Sequence, residues 1–196
     1  NLRFIKGKAL YTENFKPSMR ELEVTPETKL LCCQSKTDAT LEKIGKVITA
    51  NGTAVASELT PGILTPVPKS GAGSAITGSV EFNYEDYFEI TSADLALGTD
   101  PFTIEWWMYA SEQTEPGTAN RRIFRLGANN ATGSLSINFD AVNHDLQINY
   151  NDTTLIGSSS LGVHPESWYH ISLVREGTGS NETKLYINGI LSDSGT

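Results

Sequence analysis

Glu81, Glu85, Asp86 and Glu89 are this chain's closest approach to a paired-carboxylate set. Cleaving a glycosidic bond with retention needs two carboxylates about 5 Å apart, one as acid and one as nucleophile. Glu85 and Asp86 fall in the turn between Val80-Glu81-Phe82 and Tyr87-Phe88-Glu89-Ile90, so the four do not alternate along one uninterrupted strand. Glu105 stands alone on its strand. Nucleophilic chemistry has less to work with. His144 lies in a turn, His164 beside Pro165 and His170 on a strand, and no Gly-x-Ser-x-Gly elbow occurs. His170 reads as a sheet-surface residue and not as a base. The expectation is a protein that is not an enzyme.

Binding chemistry has more candidates. Asp140, Asn143 and Asp145 share one turn, and Asp94 and Asp100 share another loop. Hard oxygen ligands of this kind suit calcium, the one cofactor these residues suggest. Asp and Asn also populate turns for backbone reasons alone, and no Asp-x-Asp-x-Asp-Gly loop is present. Sugar binding needs aromatic platforms beside hydrogen-bonding groups. Trp107 and Tyr109 share a strand face, and Tyr150 sits between Asn149 and Asn151 near a strand end. Trp106 and Trp168 are expected to fill the core. Cys32 and Cys33 are adjacent, and strand geometry points such a pair to opposite faces, leaving one buried and neither bridged to the other. Sequons begin at Asn51, Asn130, Asn151 and Asn181, as composition alone produces in an Asn- and Thr-rich β-protein.

The elements that must position these residues are short strands. Phe102-Thr103-Ile104-Glu105-Trp106-Trp107-Met108-Tyr109 is the strongest, with Phe102, Ile104, Trp106 and Met108 on one face and the other four on the opposite face. Leu135 to Phe139 and Leu146 to Tyr150 alternate cleanly around a hairpin turn at 140–145. Asn51-Gly52 and Asn188-Gly189 are tight-turn pairs. Ser92 is placed to cap a short helical turn, and no long amphipathic helix is expected. Thr60 to Gly78, rich in Pro, Gly and Ser, reads as a linker.

The chain has 196 residues, a net charge of −8 and 38% hydrophobic residues, enough to bury one full core. With an acidic pI near 4.9 and no basic tract, a nucleic acid is not an expected partner. No apolar run approaches the ~20 residues of a membrane-spanning helix, so no membrane insertion is expected. Opening on Asn1 and stopping just past the Asn188-Gly189 turn, the chain reads as a piece of something longer.

Three segments carry a resemblance. Phe102 to Tyr109, Ser167-Trp168-Tyr169-His170-Ile171-Ser172-Leu173-Val174-Arg175 and Lys184-Leu185-Tyr186-Ile187-Asn188-Gly189 resemble, in order and spacing, strands of laminin-G-like, concanavalin A-like jelly-roll modules. Asn1 to Tyr11 is similar to the final strand of such a module. Thr28 to Ser35 and Ile48 to Gly52 resemble segments that follow it in marine bacteriophage tail-fibre and virion structural proteins. The resemblance implies an all-β antiparallel jelly-roll sandwich. It divides the chain into 1–59 (terminal strand and extension of a preceding module), 60–78 (linker) and 79–196 (a sandwich incomplete at its C-terminus). It also implies a non-enzymatic virion structural or adhesion protein at a virion surface: a fibre, tail appendage or capsid-surface component. Its partners would be other virion proteins, further copies of itself and a host-surface glycan. A lectin-like carbohydrate-binding module is the alternative, with Trp107, Tyr109 and Tyr150 as sugar contacts, and a glycoside hydrolase ranks below it.

Overall fold

The computed structural model describes residues 1–61, 76–83, 85–111, 120–128, 131–140, 142–151, 153–157, 159 and 161–195. Most of the expected linker, 62–75, lies outside them. In chain order the strands are β1 (Leu2–Lys6), β2 (Thr28–Cys32), β3 (Thr49–Asn51), β4 (Val55–Ser57), β5 (Ser79–Glu81), β6 (Tyr87–Glu89) and β7 (Phe102–Tyr109). They continue with β8 (Asn120–Leu126), β9 (Leu135–Asp140), β10 (Asp145–Tyr150), β11 (Thr153–Ile156), β12 (Trp168–Arg175), β13 (Thr183–Ile187) and β14 (Ile190–Gly195). One 3₁₀ turn, Ala93–Leu95, is capped by Ser92, whose side chain accepts from the Asp94 amide as expected.

A six-stranded sheet, β14-β13-β12-β7-β1-β2, packs against a four-stranded one, β11-β10-β9-β8. Every pairing is antiparallel, so this is the expected all-β jelly-roll sandwich. Period-two alternation explains how the layers meet. Phe102, Ile104 and Trp106 point inward with Met108 packed beside them, and Ile171, Leu173, Leu185 and Ile187 continue that face. Across the interface stand Leu135, Ile137, Phe139, Leu146 and Ile148. Fully burying each such aliphatic side chain stabilises the sandwich by about 1.5–3 kcal/mol.

Leu2–Lys6, which the sequence assigns to a preceding module, lies inside this six-stranded sheet. It is hydrogen-bonded to β7 on one side and β2 on the other. The segment after it crosses the outer face of the sheet as a strap. There the Phe15 amide donates to the Gly189 carbonyl (2.8 Å) and Asn14 Oδ1 accepts from the Leu191 amide (2.8 Å). Asn188 and Gly189 have φ of 52° and 78°, the left-handed pair that a tight hairpin turn requires. Asn51-Gly52 plays a different part. β3 and β4 do not pair with each other; they pair with β6 and β5.

Two expectations are corrected. Trp168 stands opposite Tyr109 and so faces outward, because the inward positions of β12 are set by Ile171 and Leu173. Cys32 and Cys33 do not diverge. The strand ends at Cys32, Cys33 turns to φ 60°, and their sulfurs lie 3.6 Å apart.

Candidate functional site

The outer face of the six-stranded sheet holds a buried polar cluster. Glu105 accepts from Arg3 Nε (2.9 Å) at Oε1 and from Tyr11 Oη (2.8 Å) at Oε2. His170 Nε2 lies 3.2 Å from Oε2; an ionised carboxylate only accepts, so that nitrogen carries the proton. His170 is therefore no sheet-surface residue. It is 1% exposed and Glu105 0%, because Phe15 on the strap meets the His170 ring edge-on at 5.8 Å. Burial pushes the Glu105 carboxyl up, but the His170 hydrogen bond and the Arg3 charge outweigh it and hold the carboxyl below the ordinary glutamate range. Burial, and then the Glu105 charge, raise the Tyr11 hydroxyl well above its usual value. Glutamate, histidine, arginine and tyrosine at such distances look catalytic, but the sheet and strap exclude substrate. The cluster fastens the strap to the sheet.

Of the remaining acidic set, Asp86 is committed to the fold. Asp86 accepts from the Thr53 (2.6 Å) and Asn83 (2.8 Å) amides, whereas Glu81 and Glu89 lie exposed on separate two-stranded ladders. In the candidate calcium turn, Asp140 Oδ1 accepts from the Val142 (2.8 Å) and Asn143 (3.1 Å) amides, and Oδ2 accepts from Asn143 Nδ2 (2.9 Å). Those bonds, the Asn143 amide first, lower the Asp140 pKa. Asp145 pairs with Asp140 across the β9–β10 ladder. This donor set fits a turn closed on itself and does not fit calcium. Among the described residues no group of three or more His, Cys, Asp or Glu is arranged to hold a metal.

The three predicted sugar contacts are not brought together. Trp107 and Tyr109 do share the outer face. Trp107 packs on His170 (ring centroids 5.3 Å apart) and Tyr109 on Trp168 (5.4 Å), and the Tyr109 hydroxyl donates to Glu166 (2.6 Å). Tyr150 lies elsewhere, in the mouth between the two sheets, beside Phe102 at the start of β7. About 23 Å of extended strand separates Phe102 from Tyr109.

That mouth holds a cavity of about 350 Å³, with an apolar floor of Phe102, Leu135, Tyr150 and Leu155 and a rim from loops 98–99 and 177–179. The volume lies within the range of small-ligand sites. Arg175 shapes the rim. Its guanidinium lies 4.8 Å over the Phe102 ring and donates to the Gly98 (2.7 Å) and Asp100 (2.6 Å) carbonyls, which folds the first loop over the opening. Tyr150 also borders a smaller depression of about 170 Å³ with Asn151 and Thr153. The ring thus divides two adjoining hollows. Among the described residues, neither lining contains a carboxylate, a histidine or a thiol. Backbone, threonine hydroxyls and two aromatic rings can hold a neutral, hydroxyl-rich ligand.

Sequence reasoning singled out Tyr150, which borders this cavity, and did not single out the rim. Arg175 ends an alternating strand, and an inward-reaching cation over an aromatic residue of the neighbouring strand was the signal available. Arg3 and Tyr11 were missed because their partners lie about a hundred residues away.

Neither a curated protein nor a solved structure matches the chain. A family model does. Laminin_G_3, described as the concanavalin A-like lectin/glucanases superfamily, matches residues 82–196, which include the floor of the mouth, its rim loops and Tyr150. With the two-sheet sandwich and its ligand-sized mouth in place, the match over more than half its length makes this chain a member of the concanavalin A-like lectin/glucanases superfamily.

Proposed function

We propose that this chain is a non-enzymatic adhesion and display module that meets a host-surface glycan through the Tyr150 cavity. One observation carries the reading: a cavity of about 350 Å³ offers an aromatic floor and a hydroxyl rim, and among the described residues its ionisable side chains are Tyr150 and Arg175. Such a lining binds without reacting. A virion surface (fibre, tail appendage or capsid-surface component) is the setting, supported by the likeness of Asn1–Tyr11 and the segments after it to phage structural proteins. In that setting many copies raise avidity although each contact is weak.

A glycan array with the chain displayed multivalently, followed by titration of the single chain, tests this. The expected result is selective glycan capture that Tyr150→Ala abolishes and Trp107→Ala leaves intact. Capture lost with Trp107→Ala alone would move the site to the outer face. The second reading, a dedicated lectin-like module, is favoured by the same cavity and differs in strength. Micromolar binding by a single copy, about −8 kcal/mol, would select it. Release of sugar by the purified chain would overturn both.

A further inference from the structure

We infer that Cys32 and Cys33 form a bidentate dithiol site for a soft, thiophilic centre. β2 ends at Cys32, and Cys33 adopts φ 60°. A non-glycine residue in that region costs about 1–2 kcal/mol and points to a local purpose. Its effect here is to swing the Cys33 side chain back onto the side occupied by Cys32. Both cysteines are free, and their sulfurs lie 3.6 Å apart.

That separation discriminates between two uses of the pair. A disulfide needs sulfurs at about 2.05 Å and Cα atoms at 4.4–6.8 Å, whereas adjacent residues hold their Cα atoms at about 3.8 Å. A tetrahedral centre with metal–sulfur bonds of about 2.3 Å spans two thiolates about 3.8 Å apart, a bite the pair already has. Two thiolates select soft centres over calcium or magnesium. Cys32, 3% exposed, anchors the site in the core, and Cys33, only half-buried, is the side from which a ligand enters.

Phenylarsine oxide is the probe, because it reads paired thiols. Its As(III) oxygen leaves as water with the two thiol protons and two As–S bonds form, so no atom changes oxidation state. The folded, reduced chain under argon is expected to take up one equivalent by native mass spectrometry. It should keep it against excess glutathione and surrender it to 2,3-dimercaptopropanol. Cys32→Ser and Cys33→Ser, checked for fold by circular dichroism, should each retain it at least tenfold less. Equal retention by the single variants would overturn the inference. So would uptake by the wild-type chain only after unfolding in urea, a result that does not depend on whether the variants fold.

Discussion

Arg3 and Glu105 face each other across the β1–β7 ladder, with Arg3 Nε donating to Glu105 Oε1 over 2.9 Å and both side chains withdrawn from solvent. The pair joins the first strand to the strongest one and supports the strap above them. Removing one member leaves the other charge buried without compensation. Glu105→Ala should destabilise the chain by about 3–5 kcal/mol, whereas replacing both residues with apolar ones should restore most of that loss. Urea unfolding of the single and double variants measures the difference.

The same carboxylate sets an acid limit. Glu105 titrates lower in the folded chain than in the unfolded one, where its value is about 4.3. Its contribution is therefore complete above that value and is lost as pH falls through the folded pKa. Between pH 5 and 2.5, wild-type stability should fall more steeply than that of Glu105→Gln. Parallel slopes would show that other carboxylates carry the acid sensitivity.

Gly189 couples the hairpin to the strap. Its φ is 78°, and a β-carbon there would collide with the Phe15 carbonyl. Gly189→Ala should cost at least 1–2 kcal/mol for the left-handed backbone alone. Because the collision is with the strap, chymotrypsin should cut after Tyr11 and Phe15 faster in the variant. Unchanged cleavage there would mean that the strap is held elsewhere.

The 140–145 turn should be indifferent to calcium. Asp140→Ala removes the acceptor of two turn amides and should destabilise by about 1–2 kcal/mol. Adding calcium or a chelator should leave the wild-type melting temperature in place. A rise with calcium that Asp140→Ala abolishes would reinstate the metal.

Much of the fold was legible from strand texture. Phe102 to Tyr109 alternates so regularly that its inward set could be named from sequence, and Asn188-Gly189 announced its hairpin. Trp168 shows where residue type misled. Its parity with His170 and Ser172 already placed it outward, but a bulky aromatic was assigned to the core. Tyr150 was identifiable as an aromatic near a strand end, although its separation from Trp107 was not, because strand order and sheet membership are non-local. The Arg3–Glu105–His170 cluster was hidden for the same reason. No local pattern tells a lone glutamate on an apolar strand that an arginine 102 positions earlier will stand opposite it.

The central position of β1 also sets a timetable for synthesis. Phe4 and Ile5 leave the ribosome long before β7 exists to cover them, and Phe15 must wait for Gly189 before the strap can close. At about 5–20 residues per second the roughly 100 residues between β1 and β7 take about 5 to 20 s, during which an apolar strand lacks that partner. Newly made chains are therefore most vulnerable to mispairing with one another before the last hairpin emerges, and slower production should raise the yield of folded protein only if something shields that strand meanwhile.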